Sequence, residues 1–169
     1  IIILVISAII RIISLFTRGN FWFDEFFSIH FASLPSWADT KKYFILETNP
    51  PLYILFLKFY LPFINLNNEA LVRLPSVIFG LGSIALLYIF AEKIFSKKTA
   101  IVSSILMAFS VLHIYVSNEA RVYPLLVLLT ICSFFIFHSI IIEQNNNKKM
   151  WIVYTIINIL LLYCHLTSL

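Results

Sequence analysis

Long runs of uncharged apolar residues fill most of the second half of the chain, at residues 74–91, 99–117, 122–142 and 150–169. A fifth run, residues 1–16, is interrupted by Arg11. A bilayer core of roughly 30 Å needs about 20 apolar residues in a helix. Only 12% of the residues are charged, whereas soluble domains carry about 25%. The sequence therefore predicts an all-α, multi-pass transmembrane protein with five spans.

The loops between these runs differ in length and charge. Residues 92–98 and 143–149 are short and Lys-rich, whereas residues 17–73 form one long loop. Short Lys-rich loops stay in the cytoplasm, and long loops translocate with little regard to charge. We therefore expect residues 17–73 and 118–121 to lie on the non-cytoplasmic side, in a bacterial inner or plasma membrane. The apolar ends of the chain lead us to expect the N-terminal part of a longer protein.

The basic residues are scattered between apolar runs, so a nucleic-acid partner is not expected. Cys132 and Cys164 both lie inside apolar runs, and this placement indicates neither a disulfide framework nor a thiolate metal site. The three glycines leave no room for a Gly-rich phosphate loop.

Two segments of the long loop are predicted to be juxtamembrane helices. In residues 51–63, Tyr53, Phe56, Tyr60 and Phe63 recur at helical spacing. This pattern fits a helix at the headgroup level and, equally, a helix packed on other spans. Residues 24–34 could form a second helix that begins at Asp24.

Several polar residues near the predicted span ends could carry chemistry. Asp24 and Glu25 are either a helix start, where acids stabilise free N–H groups, or a general base above a membrane cavity. Glu119 and Arg121 are either interfacial anchors or part of a site mouth. Snorkelling to the interface explains Arg73 without a function. His165, like the other span histidines His113 and His138, is most simply a satisfied buried side chain.

Taken in order, these motifs resemble the dolichyl-phosphate-mannose–protein mannosyltransferase family, glycosyltransferase family 39. The resemblance covers essentially the whole chain. The matching motifs are Arg11, Arg18 and Trp22-Phe23-Asp24-Glu25, then Asn49-Pro50-Pro51-Leu52-Tyr53, Glu69-Ala70-Leu71-Val72-Arg73-Leu74-Pro75-Ser76, Ser117-Asn118-Glu119-Ala120-Arg121-Val122-Tyr123 and Leu162-Tyr163-Cys164-His165.

The resemblance implies a GT-C fold and transfer of a sugar from a polyprenyl-phosphate donor to a protein or glycolipid acceptor. It implies that Asp24 is catalytic and that Glu25 supports it. The position of Asn49, commonly His or Lys in the family, is associated with the donor phosphate, and Glu119 is the nearest candidate for a second acid. Substrate contacts then extend to Arg121, Tyr123 and His165. The resemblance names no certain cofactor, and a divalent metal stays possible.

Two other functions fit an apolar, multi-span chain. A transporter or flippase of lipid-linked sugars predicts broken spans in repeated halves and polar residues near the middle of the membrane. A non-catalytic membrane scaffold predicts no dependence on Asp24 or Arg121. The polar residues of this sequence cluster near one set of span ends, which favours chemistry there.

Overall fold

The computed structural model of the protein describes residues 1–44, 50–144 and 147–165. Within these ranges the chain is helical and contains no strand. The helices are α1 (Ile2–Thr17), α2 (Phe23–Ser33), α3 (Trp37–Phe44), α4 (Leu52–Tyr60) with a 3₁₀ turn at Leu61–Phe63, α5 (Glu69–Ile94), α6 (Lys97–Phe109), α7 (Val111–Ser117), α8 (Tyr123–Ile141) and α9 (Lys148–Leu162).

Helices α5 and α8 are long and apolar enough to cross a membrane, and α6 with α7 could form a third, bent span. Helices α1 and α9 are shorter, with 16 and 15 residues. The prediction of an all-α membrane protein is confirmed, whereas the count of five spans stays a prediction.

Helix α5 begins at Glu69, before the apolar run that predicted it at residue 74. The Asn68 side chain accepts a hydrogen bond from the backbone N–H of Leu71 at 3.3 Å and caps the helix. Pro75 lies inside the helix and has no N–H to donate to the Leu71 carbonyl. The Tyr60 hydroxyl donates to that carbonyl at 2.8 Å and so ties α4 to α5.

The predicted span at residues 99–117 is not one continuous helix. It bends by 62° between α6 and α7, where Ser110 is extended and its hydroxyl accepts from the N–H of His113. Arg11 of α1 lies at this break and donates to the Ala108 carbonyl at 3.3 Å and to His113 Nδ1 at 2.7 Å. His113 Nε2 then faces the Ser83 hydroxyl at 3.1 Å. A buried cation thus replaces hydrogen bonds that the broken helix lacks.

Helices α2 and α4 pack onto the span helices and do not extend away from them. Leu57 of α4 is fully buried, whereas Phe63 at its end is 86% exposed. Helix α4 therefore packs one face into the core, as one of the two alternatives expected, and its position at the headgroup level stays a prediction. A shared core joins α2, α4, the start of α5 and the turn before α8; its buried members are Phe31, Ala32, Tyr53, Ile54, Leu57, Leu61, Val72, Ala120, Val122 and Cys164.

Candidate functional site

The carboxylate of Glu25 is completely buried near the start of α2. Its Oε1 accepts from Arg73 Nε and from the backbone N–H of Ala120, each at 2.8 Å. Its Oε2 accepts from an Arg73 terminal nitrogen and from the N–H of Trp22, each at 2.9 Å. A carboxylate has about four acceptor positions, and four donors fill those of Glu25.

This environment decides the ionisation of Glu25. Burial raises the pKa of the carboxyl group, but the hydrogen bonds from Arg73, Ala120 and Trp22 outweigh burial and hold the pKa below its ordinary value. Glu25 is therefore an ionised, fully bonded anchor, which joins α2, α5 and the turn before α8. The expectation that Glu25 supports its neighbour fits this position.

Arg73 is buried beside Glu25, with 1% of its side chain exposed. The snorkelling interpretation is therefore wrong. Its terminal nitrogens also donate to the carbonyls of Gly19 and Asn20, at 2.9 and 3.1 Å. Gly19 has a φ of +73°, a conformation that a residue with a side chain rarely adopts. Arg73 thus also holds the turn that leads from α1 into α2.

Asp24 precedes Glu25 on the same helix but points in a different direction, because successive residues are about 100° apart. Its side chain is 54% exposed, and Oδ2 lies 3.7 Å from a terminal nitrogen of Arg121. The Asp24 carboxylate is thus open to a ligand and close to one cation.

Arg121 closes one side of the site and is only 10% exposed. One terminal nitrogen donates to the Asp24 carbonyl at 3.0 Å and to the Ser28 hydroxyl at 3.1 Å. Its Nε is buried and has no hydrogen-bond partner within the described part of the chain. The Arg121 carbonyl accepts from Ser76 at 3.5 Å, and this contact fixes the turn to α5.

Glu119 does not pair with Arg121. Its Oε1 lies 2.5 Å from a terminal nitrogen of Arg18, and the pair is mostly buried. Arg18 also donates to the Tyr115 carbonyl at 2.7 Å and lies 4.2 Å from the centre of the Tyr115 ring. Glu119 therefore fastens the turn before α8 to the end of α1.

Tyr123 and His165 are linked to Arg121 by successive contacts. The Arg121 guanidinium lies 5.9 Å from the centre of the Tyr123 ring, and that ring lies 6.2 Å from the imidazole of His165. Asp24, Arg121, Tyr123 and His165 thus form one contiguous row. Asn49 lies outside the described residues. Among the residues that the structure describes, no three His, Cys, Asp or Glu side chains form a group that could hold a metal ion.

The model of one protein family, described as dolichyl-phosphate-mannose-protein mannosyltransferase, matches residues 48–165. The chain belongs to this family. A search of curated proteins and a search of solved structures found no match to the chain. Family membership and the apolar helices together identify a membrane glycosyltransferase of the mannosyltransferase type.

The matched region of this mannosyltransferase-family chain includes Arg73, Arg121 and His165 but not Asp24 or Glu25, which precede residue 48. The two acids nevertheless lie against the matched region: Glu25 bonds to Arg73 and Ala120, and Asp24 lies beside Arg121.

The sequence patterns indicated Asp24, Glu25 and the turn before α8 as candidates, but they did not indicate the ion pair of Arg73 with Glu25. One signal was present: Glu25 and Arg73 are opposite charges that flank apolar runs, and a charge at such a place is stabilised by a partner. His113 and His138 lie elsewhere; His113 is at the break between α6 and α7, and His138 Nδ1 is 3.7 Å from Glu143.

Proposed function

We propose that this protein transfers a sugar from a polyprenyl-phosphate donor to an acceptor hydroxyl of a protein or glycolipid, with inversion at the sugar carbon. The site lies on the non-cytoplasmic side of a five-span membrane region. Asp24 acts as the general base, and Glu25 holds Asp24 in place. The family supports a glycosyltransferase, and the contacts of Asp24, Glu25 and Arg121 support the roles assigned to them.

The observation that carries the proposal is the opposite environment of two adjacent carboxylates. Glu25 is buried and fully hydrogen-bonded, whereas Asp24 is half exposed and has one ion-pair neighbour at 3.7 Å. Catalytic sites commonly give two neighbouring acids different roles through such differences. Of these two carboxylates, that of Asp24 is the one that a substrate hydroxyl could reach.

The proposed sugar transfer needs a base for the acceptor hydroxyl and a cation for the leaving phosphate. The acceptor oxygen forms a bond to the sugar's anomeric carbon while the bond from that carbon to the phosphate oxygen breaks. Asp24 takes the proton of the attacking hydroxyl. The electron pair of the broken bond leaves with the polyprenyl phosphate, whose growing negative charge gains from a positioned cation.

Arg121 is the cation that we assign to the leaving phosphate. Its guanidinium adjoins Asp24 and carries a buried Nε without a partner in the described residues. Arg can contact phosphate oxygens with two parallel N–H groups. Tyr123 and His165 extend the row and would line the path of the donor. Asn49, close in sequence to the start of α4, remains a proposed contact of the phosphate.

The substitution Asp24→Asn tests this assignment in membranes that contain the protein. The measurement is transfer of radiolabelled mannose from polyprenyl-phosphate mannose to other membrane components. We expect a loss on the order of 10²–10⁴-fold, the usual contribution of a general base. Asp39→Asn is the matched control, because Asp39 is an exposed acid of α3 that pairs with Lys42. Unchanged transfer in Asp24→Asn would exclude Asp24 as the base.

The side of the membrane is tested separately. In a cysteine-free background, an Asp24→Cys variant should react with a membrane-impermeant maleimide added outside intact cells. Labelling only after the membrane has been opened would contradict the proposed orientation.

One observation favours the transporter hypothesis as a second candidate. Helix α6 ends at a 62° break, where Arg11 and His113 are buried among the spans. Transporters place substrate sites at such broken helices. The same radiolabelled donor separates the two functions, because a transporter moves the intact donor across the bilayer and leaves the label on the polyprenyl lipid.

A further inference from the structure

A cavity lies at the far end of α2, away from Asp24. Its volume is about 510 Å³, and it opens between the turn from α2 to α3 and the end of α4. The walls are mostly apolar and aromatic, with Leu34, Pro35, Trp37, Phe59, Leu61 and Phe63 among the lining residues.

Among the described residues that line this cavity, Lys58 is the only cation. Its Nζ donates to the Leu34 carbonyl at 2.6 Å and lies 5.0 Å from the centre of the Trp37 ring. None of the ion pairs formed by the described residues includes Lys58. A lysine ammonium has three N–H donors, so Lys58 can offer further hydrogen bonds to an anion in the cavity.

The rim of the cavity is suited to lipid. Trp37, Phe59 and Phe63 are 45%, 65% and 86% exposed. Tryptophan concentrates at the level of the headgroups, and Phe is common on the apolar face of helices that lie in the interface. Lysine at the same level adds attraction to anionic lipids. An apolar cavity with one ammonium that forms no ion pair with the described residues therefore matches an acyl chain joined to a phosphate.

We propose that this cavity binds an anionic membrane phospholipid, with its phosphate on Lys58 and its acyl chain against the aromatic wall. The sugar donor also joins a phosphate to an apolar chain, but a donor phosphate in this cavity would lie too far from Asp24. Asp24 and the cavity residue Ser33 are separated by about 14 Å along α2, whereas donor phosphate and anomeric carbon are separated by one oxygen atom. The phospholipid is therefore a separate ligand, and its binding does not depend on Asp24.

Native mass spectrometry of the detergent-purified protein tests the proposal, with phosphatidylglycerol and phosphatidylcholine as probes. We expect phosphatidylglycerol to bind the wild type more tightly than phosphatidylcholine. Lys58→Gln should weaken phosphatidylglycerol binding about fivefold, the usual contribution of one basic residue near an anionic surface. Lys58→Arg should keep it, and Lys41→Gln, which changes an exposed lysine of α3, should have no effect. Equal affinities in Lys58→Gln and wild type would overturn the proposal.

Two further measurements separate this site from the proposed active site. Asp24→Asn should keep phosphatidylglycerol binding unchanged while it lowers sugar transfer. Polyprenyl phosphate added as a competitor should not displace phosphatidylglycerol from the wild-type protein. If it displaces phosphatidylglycerol from the wild type but not from Lys58→Gln, the cavity is instead a binding site for the sugar donor. If Lys58→Gln fails to fold, quenching of Trp37 fluorescence by brominated phosphatidylglycerol, in a variant without Trp22 and Trp151, replaces it. Quenching no stronger than with brominated phosphatidylcholine would contradict the proposal.

Discussion

Arg73 and Glu25 form a two-bond ion pair, with Nε 2.8 Å from Oε1 and a terminal nitrogen 2.9 Å from Oε2. The two residues are 48 positions apart in the sequence. Because both side chains are almost completely buried, the pair fixes the beginning of α2 to α5 and orients the exposed neighbour Asp24.

Glu25→Gln should destabilise the protein strongly. Removing one charge of a buried ion pair leaves the other uncompensated, which costs about 3–5 kcal/mol. The measurement is the midpoint of thermal unfolding in detergent micelles. Glu92→Gln, the same change at an exposed position near the end of α5, is the control and should leave the midpoint nearly unchanged. Similar midpoints in the two variants would show that the pair contributes little to stability.

The same pair predicts a loss of stability in acid. The pKa of Glu25 is lower in the folded protein than its ordinary value of 4.5. Burial raises this pKa, but the hydrogen bonds from Arg73, Ala120 and Trp22 together lower it by more than burial raises it. A group with a lowered pKa stabilises the fold fully above its ordinary pKa, and this contribution disappears as the pH falls through the folded value. We expect the midpoint temperature of thermal unfolding to decrease once the pH is below about 4.5. Glu25→Gln should show a smaller fall; an identical pH profile would assign the acid sensitivity to other groups.

Hydropathy predicted where the helices lie because burial in lipid depends on local composition. It misplaced the start of α5, since Glu69 and Arg73 are charged and the apolar run begins only after them. The Asn68 cap and the partner of Arg73 are what allow the helix to begin earlier. The cap is visible in the sequence, whereas the partner lies in a distant segment.

The break at Ser110 was also beyond the pattern of apolar residues. It depends on Arg11 and His113, which are far apart in the chain and meet only when α1 packs beside α6 and α7. Of the site residues, Asp24, Arg121, Tyr123 and His165 were expected and lie together. The pairing of Glu119 with Arg18 was not expected, because spacing in the sequence does not specify partners.

Gly80→Ala should disturb the packing of α5 against α7. A Cβ at Gly80 would lie 2.9 Å from the Ser117 Cβ and closer still to the Ser117 hydroxyl. Overpacking of this kind typically costs about 1–3 kcal/mol. At Gly82 the nearest atom would be a Leu128 methyl at 3.5 Å, an ordinary contact, so Gly82→Ala is the matched control. Thermal unfolding of the two variants tests this prediction. Equal midpoints would mean that α7 can shift to accommodate the Cβ without a loss of stability.

Tyr60→Phe should loosen α4 from α5. The Tyr60 hydroxyl donates a hydrogen bond to the Leu71 carbonyl, to which Pro75 cannot donate. A hydrogen bond of this type contributes about 0.5–1.5 kcal/mol to the free energy of unfolding. We expect a lower unfolding midpoint and faster hydrogen exchange in α4. Tyr88→Phe removes only an exposed contact with Glu92 and should change neither; equal exchange in the two variants would contradict the anchoring role.

Arg121→Lys should raise the KM for the polyprenyl-phosphate donor about tenfold, the size expected when a hydrogen bond to a charged group is lost. Lysine keeps the positive charge but cannot present two parallel N–H groups while it also reaches the Asp24 carbonyl and Ser28. Arg18→Lys is the control, because it makes the same change in a guanidinium that contacts Glu119 and Tyr115, and it should leave the donor KM unchanged. Initial rates at varied donor concentration give KM and kcat for both variants. If Arg121→Lys has an unchanged donor KM and unfolds at the same temperature as the wild type, Arg121 does not bind the donor phosphate. Another cation would then stabilise the leaving phosphate.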